Sequence, residues 1–200
     1  MKNYKFVTIG DAGIGKTAYI MRYTYDTYQQ TDMTIGVDFA IRKIDENTKI
    51  QIWDTAGHES FRSISRSYYH GANVALFMYD STNLKSFRNI QNWYLDFKSA
   101  NEKAYCIFIE TKYDLSHKRV ITPDMHNEFL NILNERDREL YIHFQTSAKT
   151  NYKIEEPFNY AISLLNTYEI SDDYPKLELN NDIQVNQNIF FKLFKNCWPY

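Results

Sequence analysis

Six short apolar or alternating runs, at 4–9, 37–44, 49–53, 74–79, 105–109 and 141–144, have the length of strands and are bounded by turn residues. Segments of helical period separate most of them. Phe87, Ile90, Tyr94 and Phe97 share one helical face, as do Met125, Phe129, Ile132 and Leu133, and Ile154, Phe158, Ala161 and Leu165. A further helix opens at Thr17, and Pro157 sits in the first turns of the last one, where a missing N–H costs little. Such alternation predicts an α/β fold, a mostly parallel sheet with helices on both faces. Asp45-Glu46-Asn47-Thr48 reads as the turn of a hairpin, so one of the six strands is expected to be antiparallel.

Ligands bind such sheets at the carboxyl ends of the strands. Gly10, Asp54, Asp80, Thr111 and Ser147 each follow a strand and therefore share one rim. With 200 residues and 44% hydrophobic content the chain can bury one good core. Its 23 basic and 25 acidic residues leave no basic excess for tracking phosphates, so no nucleic-acid partner is expected. Two cysteines, Cys106 in an apolar strand and Cys197 near the end, argue against a disulfide framework and for a reducing, cytoplasmic setting. Lys2 excludes myristoylation, and no run reaches the length of a membrane span. The periodicity stops near residue 170, dividing the chain into a domain at 1–170 and a flexible tail at 171–200.

Between the first strand and the first helix stands GDAGIGKT: Gly10, Asp11, Ala12, Gly13, Ile14, Gly15, Lys16 and Thr17, with Ala18 following. Glycines let backbone amides point at an anion, and the helix start adds its dipole. Lys16 is placed to reach β- and γ-phosphates, and the Thr17 hydroxyl to bind Mg2+. After the third strand comes DTAG, in which Asp54 suits a magnesium site and Gly57 a mobile phosphate sensor. His58, the next residue, stands where an attacking water would be oriented. A phosphate loop alone serves ATPases, nucleoside kinases and GTPases alike. TKYD and TSAK choose among them. Asp114 can accept from the N1–H and 2-amino group of guanine, which adenine lacks; the Lys112 stem can lie along the base, and the Ala148 amide can meet O6. The five histidines lack the paired spacing of a metal motif, so surface or core roles are expected for them.

The ordered set Gly10 to Thr17, Thr34, Asp54 to Gly57, Thr111 to Asp114 and Ser147 to Lys149 resembles the Ras superfamily of small GTPases. TIGVDF, IWDTAG and FRSISRSYYHGA narrow the resemblance to the Rab family over roughly residues 4 to 168. It implies a P-loop G domain in three layers that binds GTP or GDP with Mg2+ held at Thr17, at Thr34 and, through a water, at Asp54. Thr34 would also meet the γ-phosphate, as would the Gly57 amide, and loss of that phosphate would release both loops. Tyr28 stands where the family packs an aromatic on guanine, beside a base site of Thr111, Lys112, Asp114, Ser147, Ala148 and Lys149. Ile35, Phe39, Trp53 and Tyr68 match the effector-binding positions. Effectors, an exchange factor and an activating protein are the implied partners of a monomeric switch in vesicle trafficking.

Five departures qualify the likeness. His58 replaces the family's water-orienting Gln, so slow hydrolysis is expected, with Lys16 and Thr34 as the remaining catalytic groups. A GTP-loaded decoy or scaffold with negligible turnover is the alternative, and an ATP-dependent kinase a distant third. Thr111 replaces Asn, and Glu110 stands where Gly is common, which is expected to weaken nucleotide affinity modestly. The loop ahead of Thr34 is one residue short. The tail ends Cys197-Trp198-Pro199-Tyr200, a poor prenylation signal, after the apolar, cationic stretch at 189–195. A peripheral contact with an intracellular membrane, through that stretch and a lipid on Cys197, and a merely sticky disordered end are both left open.

Overall fold

Glycine at position 10 ends the first strand because nothing larger fits: a Cβ there would lie 2.2 Å from the Met78 carbonyl oxygen, and φ is +148°. The strand it ends, β1 (Lys2–Ile9), lies at the centre of a six-stranded sheet ordered β2-β3-β1-β4-β5-β6. The other strands are β2 (Val37–Lys43), β3 (Thr48–Thr55), β4 (Val74–Asp80), β5 (Tyr105–Thr111) and β6 (His143–Gln145). Among the six strands β2 and β3 are the antiparallel pair, as the hairpin required. The computed structural model describes residues 1–29, 34 and 36–168. Its compact unit is Met1–Leu165; of the second unit, Asn166–Tyr200, only the end of the last helix is described. The expected tail therefore lies outside the described residues.

Period two on the central strands divides the core. Val7 and Ile9 of β1 join Phe77, Tyr79 and Phe108 in a cluster with Phe87, Ile90, Trp93, Tyr94 and Phe97 of α3 (Leu84–Ala100) and Phe129 of α4 (Pro123–Leu130). On the opposite face Phe6 meets Phe158 of α6 (Glu156–Tyr168), which also stacks on Tyr19 and Tyr23 of α1 (Lys16–Tyr25). Phe77 touches the rings of Tyr94, Phe97 and Phe108 at 5.9, 5.7 and 5.3 Å. Each such pair adds about 0.5–1.5 kcal/mol beyond the area it buries. Helix α3 begins where Asn83 accepts from the Lys85 and Ser86 amides, a side-chain cap for two otherwise unpaired donors.

Two elements differ from expectation. The helical spacing of Met125 to Leu133 spans a break: α4 stops at Leu130, and α5 (Glu135–Glu139) starts anew. Asn134 causes the restart by accepting from the Asp137 amide while its own N–H donates to the Tyr94 hydroxyl. The last strand starts later than the apolar run at 141–144, because the Tyr141 N–H donates back to the Arg138 carbonyl at 3.2 Å instead of joining the ladder.

Candidate functional site

The expected rim exists. Loop 10–15, the segment after β3, and the loops after β4, β5 and β6 all lie at the carboxyl ends of their strands. Within the first, Lys16 folds back so that its ammonium donates to the Gly10 and Asp11 carbonyls at 2.9 and 2.8 Å. Burial lowers its pKa to about 8, against the opposing pull of Asp54 and Asp11. The Asp11 carboxylate is fixed by the Asn89 amide and the Trp93 indole, at 2.6 and 2.7 Å. Asn89 and Trp93 were not singled out from the sequence. Their signal was position alone: Asn89, Trp93 and Phe97 recur every four residues along α3, with Asn89 half-buried at the margin of its inner face.

Asp54 is buried, and desolvation raises its pKa against hydrogen bonds from Thr17 and Thr8 and the charge of Lys16. The Thr17 hydroxyl donates to Asp54 Oδ2 at 2.5 Å, so the contact of Thr17 with Thr34 at 2.8 Å must have Thr34 as donor. Three residues distant in sequence thus present oxygens 2.5–2.8 Å apart in a row. Adjacent ligands of an octahedral Mg2+ at about 2.05 Å stand roughly 2.9 Å apart, so the Thr17 and Thr34 hydroxyls fit that ion, with Asp54 behind Thr17 where a bound water would reach it. Thr8 completes the corner by donating to Asp54 Oδ1 at 3.0 Å, and it too went unnoticed in the sequence.

Gly57 lies against the phosphate loop: a Cβ there would come within 2.3 Å of the Asp11 carbonyl carbon and 2.4 Å of the Ala12 nitrogen. His58 is exposed, and its Nδ1 accepts from the Ser60 amide at 3.2 Å, at the start of the short 3-10 turn Glu59–Phe61.

Past β5, Lys112 adopts φ +60°, and its ammonium spans the Gly13 carbonyl at 3.0 Å and Asp80 at 2.7 Å. Thr111 donates to the Ile14 carbonyl at 2.7 Å, and Ser147 to Asp114 at 2.6 Å. Arg22 of α1 holds the Ala148 carbonyl. One cleft is lined by Ile14, Gly15, Ala18, Tyr28, Thr111, Lys112, Asp114, Ala148 and Lys149, which joins the loop at 10–18 to the three stretches read as base-binding.

The model of the Ras family matches residues 5–167. Among curated proteins, the chain is 38% identical to Ras-related protein RabF1 of Dictyostelium discoideum over 165 residues, covering 80% of this chain and 83% of that one. It is 39% identical to Ras-related protein Rab-10 of Diplobatis ommata over 161 residues, covering 78% and 77%. The chain belongs to the Rab-type small GTPases of the Ras family. It is therefore a GTP-binding switch of the vesicle-trafficking class, and its sheet, with one antiparallel strand, is the fold that class implies.

On this Rab-type GTPase the aromatic rings of Phe39, Trp53 and Tyr68 form a continuous row, with centroids 4.7 and 4.9 Å apart. Register places Phe39 directly opposite Trp53. Ile35 and Cys197 lie outside the described residues. Glu110 does not stand free beside the base site: it is fully buried and bound through both oxygens to Arg119, at 2.6 and 2.9 Å. Near it, His126 and His143 stack at 4.2 Å, although their spacing announced no pair. Burial, then the charges of His143 and Arg119, pushes the His126 pKa down to about 3. A depressed pKa means that only the unfolded chain takes up the proton, so stability is full above about pH 6.5 and falls as pH drops toward 3. Between pH 7 and pH 5 this group should remove about 2 kcal/mol of stability. Urea denaturation at both pH values checks it, with His126→Gln expected to show the smaller loss.

Proposed function

We propose that this Rab-type GTPase binds GTP and GDP through Gly10 to Ala18, with Lys16 on the β- and γ-phosphates and Mg2+ held by Thr17, Thr34 and Asp54. Asp114, backed by Ser147, reads guanine, while Lys112, Thr111, Ala148, Lys149 and Tyr28 enclose the base. The observation that carries the reading is the row of oxygens on Thr17, Thr34 and Asp54 beside the buried Lys16, a divalent-cation corner set against a polyphosphate cradle. Mg2+ bound there supplies charge neutralisation on the phosphates. The chain's own groups then hold the anion at the Gly57 amide and Lys16 and release both loops when the γ-phosphate departs. Effectors dock on the row of Phe39, Trp53 and Tyr68 and also engage Ile35. The protein acts as a monomer served by an exchange factor and an activating protein, and the tail with Cys197 makes any membrane contact peripheral. Among the described residues no helix is long and apolar enough to cross a membrane.

Unaided hydrolysis is slow, and His58 is the reason. With Nδ1 accepting from the Ser60 amide, the neutral ring carries its proton on Nε2 and offers outward only a donor. Protonated, it offers donors alone. An attacking water needs its protons accepted so that a lone pair can face phosphorus, which an amide oxygen provides and this ring does not. Purified protein should carry guanine nucleotide, and His58→Gln should speed single-turnover GTP hydrolysis at least about tenfold. Equal rates would remove His58 as the cause. The donor-only ring equally supports the second reading, a GTP-loaded effector-binding module. That reading prevails if bound GTP persists for hours in both proteins and an activating protein leaves it unchanged.

A further inference from the structure

Glu110, His126 and His143 come from three separate elements. Parallel pairing sets His143 opposite Phe108 on β6, two residues from Glu110 along β5. Helix α4, opened by the Thr122 cap and Pro123, lays His126 over the same end. One ligand atom from each of the three side chains lies within 4.8 Å of the other two. The imidazole planes are 23° apart. His126 Nδ1 is engaged with the Tyr141 hydroxyl at 2.7 Å, while Nε2 has only a long contact with Tyr79 at 3.4 Å. A ring held by one nitrogen and nearly free at the other is the arrangement of a metal-ligating histidine oriented by an outer partner.

We propose that Glu110, His126 and His143 form a Zn2+ site distinct from the Thr17–Thr34–Asp54 corner. Tetrahedral zinc with nitrogen and oxygen ligands at about 2.0–2.2 Å sets its ligand atoms roughly 3.3–3.5 Å apart. The three side chains need close by about 1.5 Å at most, a matter of side-chain rotation. Ligand chemistry separates the two sites. The corner offers oxygen alone and suits Mg2+, whereas two imidazoles and a carboxylate suit zinc and are poor for magnesium. A water supplies the fourth ligand.

Arg119 is the competitor. Its guanidinium occupies both Glu110 oxygens, so zinc enters by exchanging one cationic partner of the carboxylate for another. The Arg119 side chain is 23% exposed and can swing into solvent. That exchange limits affinity to the micromolar range, weaker than a dedicated structural site.

The test uses the full chain loaded with GDP and excess Mg2+, which keeps zinc out of the phosphate site, titrated with ZnCl2 against a chromophoric chelator. One zinc equivalent is expected. His143→Phe, which keeps a ring against His126, and Glu110→Gln should each weaken it at least about tenfold, and Arg119→Gln should tighten it several-fold. Co2+ in place of zinc should give four-coordinate visible bands without a thiolate band, a readout that needs no variant. The cysteines and exposed histidines are identical in all these proteins and cancel in the comparison. The site does not exist if wild type binds no zinc up to about 100 µM, or if His143→Phe binds it as wild type does.

Discussion

Asp114→Asn should lower GTP and GDP affinity by about 10²–10³-fold and leave the weak binding of ATP unchanged. The Asp114 carboxylate accepts from Ser147 at 2.6 Å and lines the same cleft as Tyr28, Ala148 and Lys149. Guanine would bring two N–H donors to it, and each hydrogen bond to a charged acceptor contributes about 1.5–3 kcal/mol. An amide of the same shape keeps one acceptor and turns an N–H toward a donor, so one bond is lost and the other loses its charge. Adenine has neither donor, which is why the ratio of GTP to ATP affinity carries the result. Displacement of a fluorescent GDP analogue measures it. An unchanged ratio would place base recognition elsewhere and revive the kinase reading.

Gly57→Ala should cut single-turnover GTP hydrolysis by about 10²-fold while changing GDP affinity only a few-fold. The added methyl would lie 2.3–2.4 Å from three backbone atoms of Asp11 and Ala12. That backbone cannot give way easily. Lys16 ties the Gly10 and Asp11 carbonyls, and Asn89 with Trp93 ties the Asp11 side chain. The segment after β3 must retreat instead, carrying the Gly57 amide away from the γ-phosphate. GDP has no γ-phosphate and is spared. Wild-type rates in the variant would mean that Gly57 leaves the phosphate loop in the working state.

Much of this was legible because it is periodic or contiguous. Strand runs, the hairpin and GDAGIGKT depend on neighbours in the chain, whereas the strand order β2-β3-β1-β4-β5-β6 was read only from the structure. Contacts set by packing were less legible. Glu110 could be placed near the base loop, yet its direction depends on strand parity: it shares the α3 and α4 face with Phe108, and there it meets Arg119. The His126–His143 pair depends on where α4 crosses β6, a distance that no spacing of 17 residues encodes. The break after Leu130 was hidden because Ile132 and Leu133 keep the helical period while Asn134 starts a new cap.

Lys112 and Thr111 belong to the base-reading loop, yet both end on carbonyls of the phosphate loop, at Gly13 and Ile14. The two halves of the proposed nucleotide pocket are therefore laced together by two side chains of one half that grip backbone carbonyls of the other. Prising up either half is expected to slacken the other, so that nucleotide would leave in one cooperative opening. A protein that catalyses exchange would then need to grip the pocket at one end only.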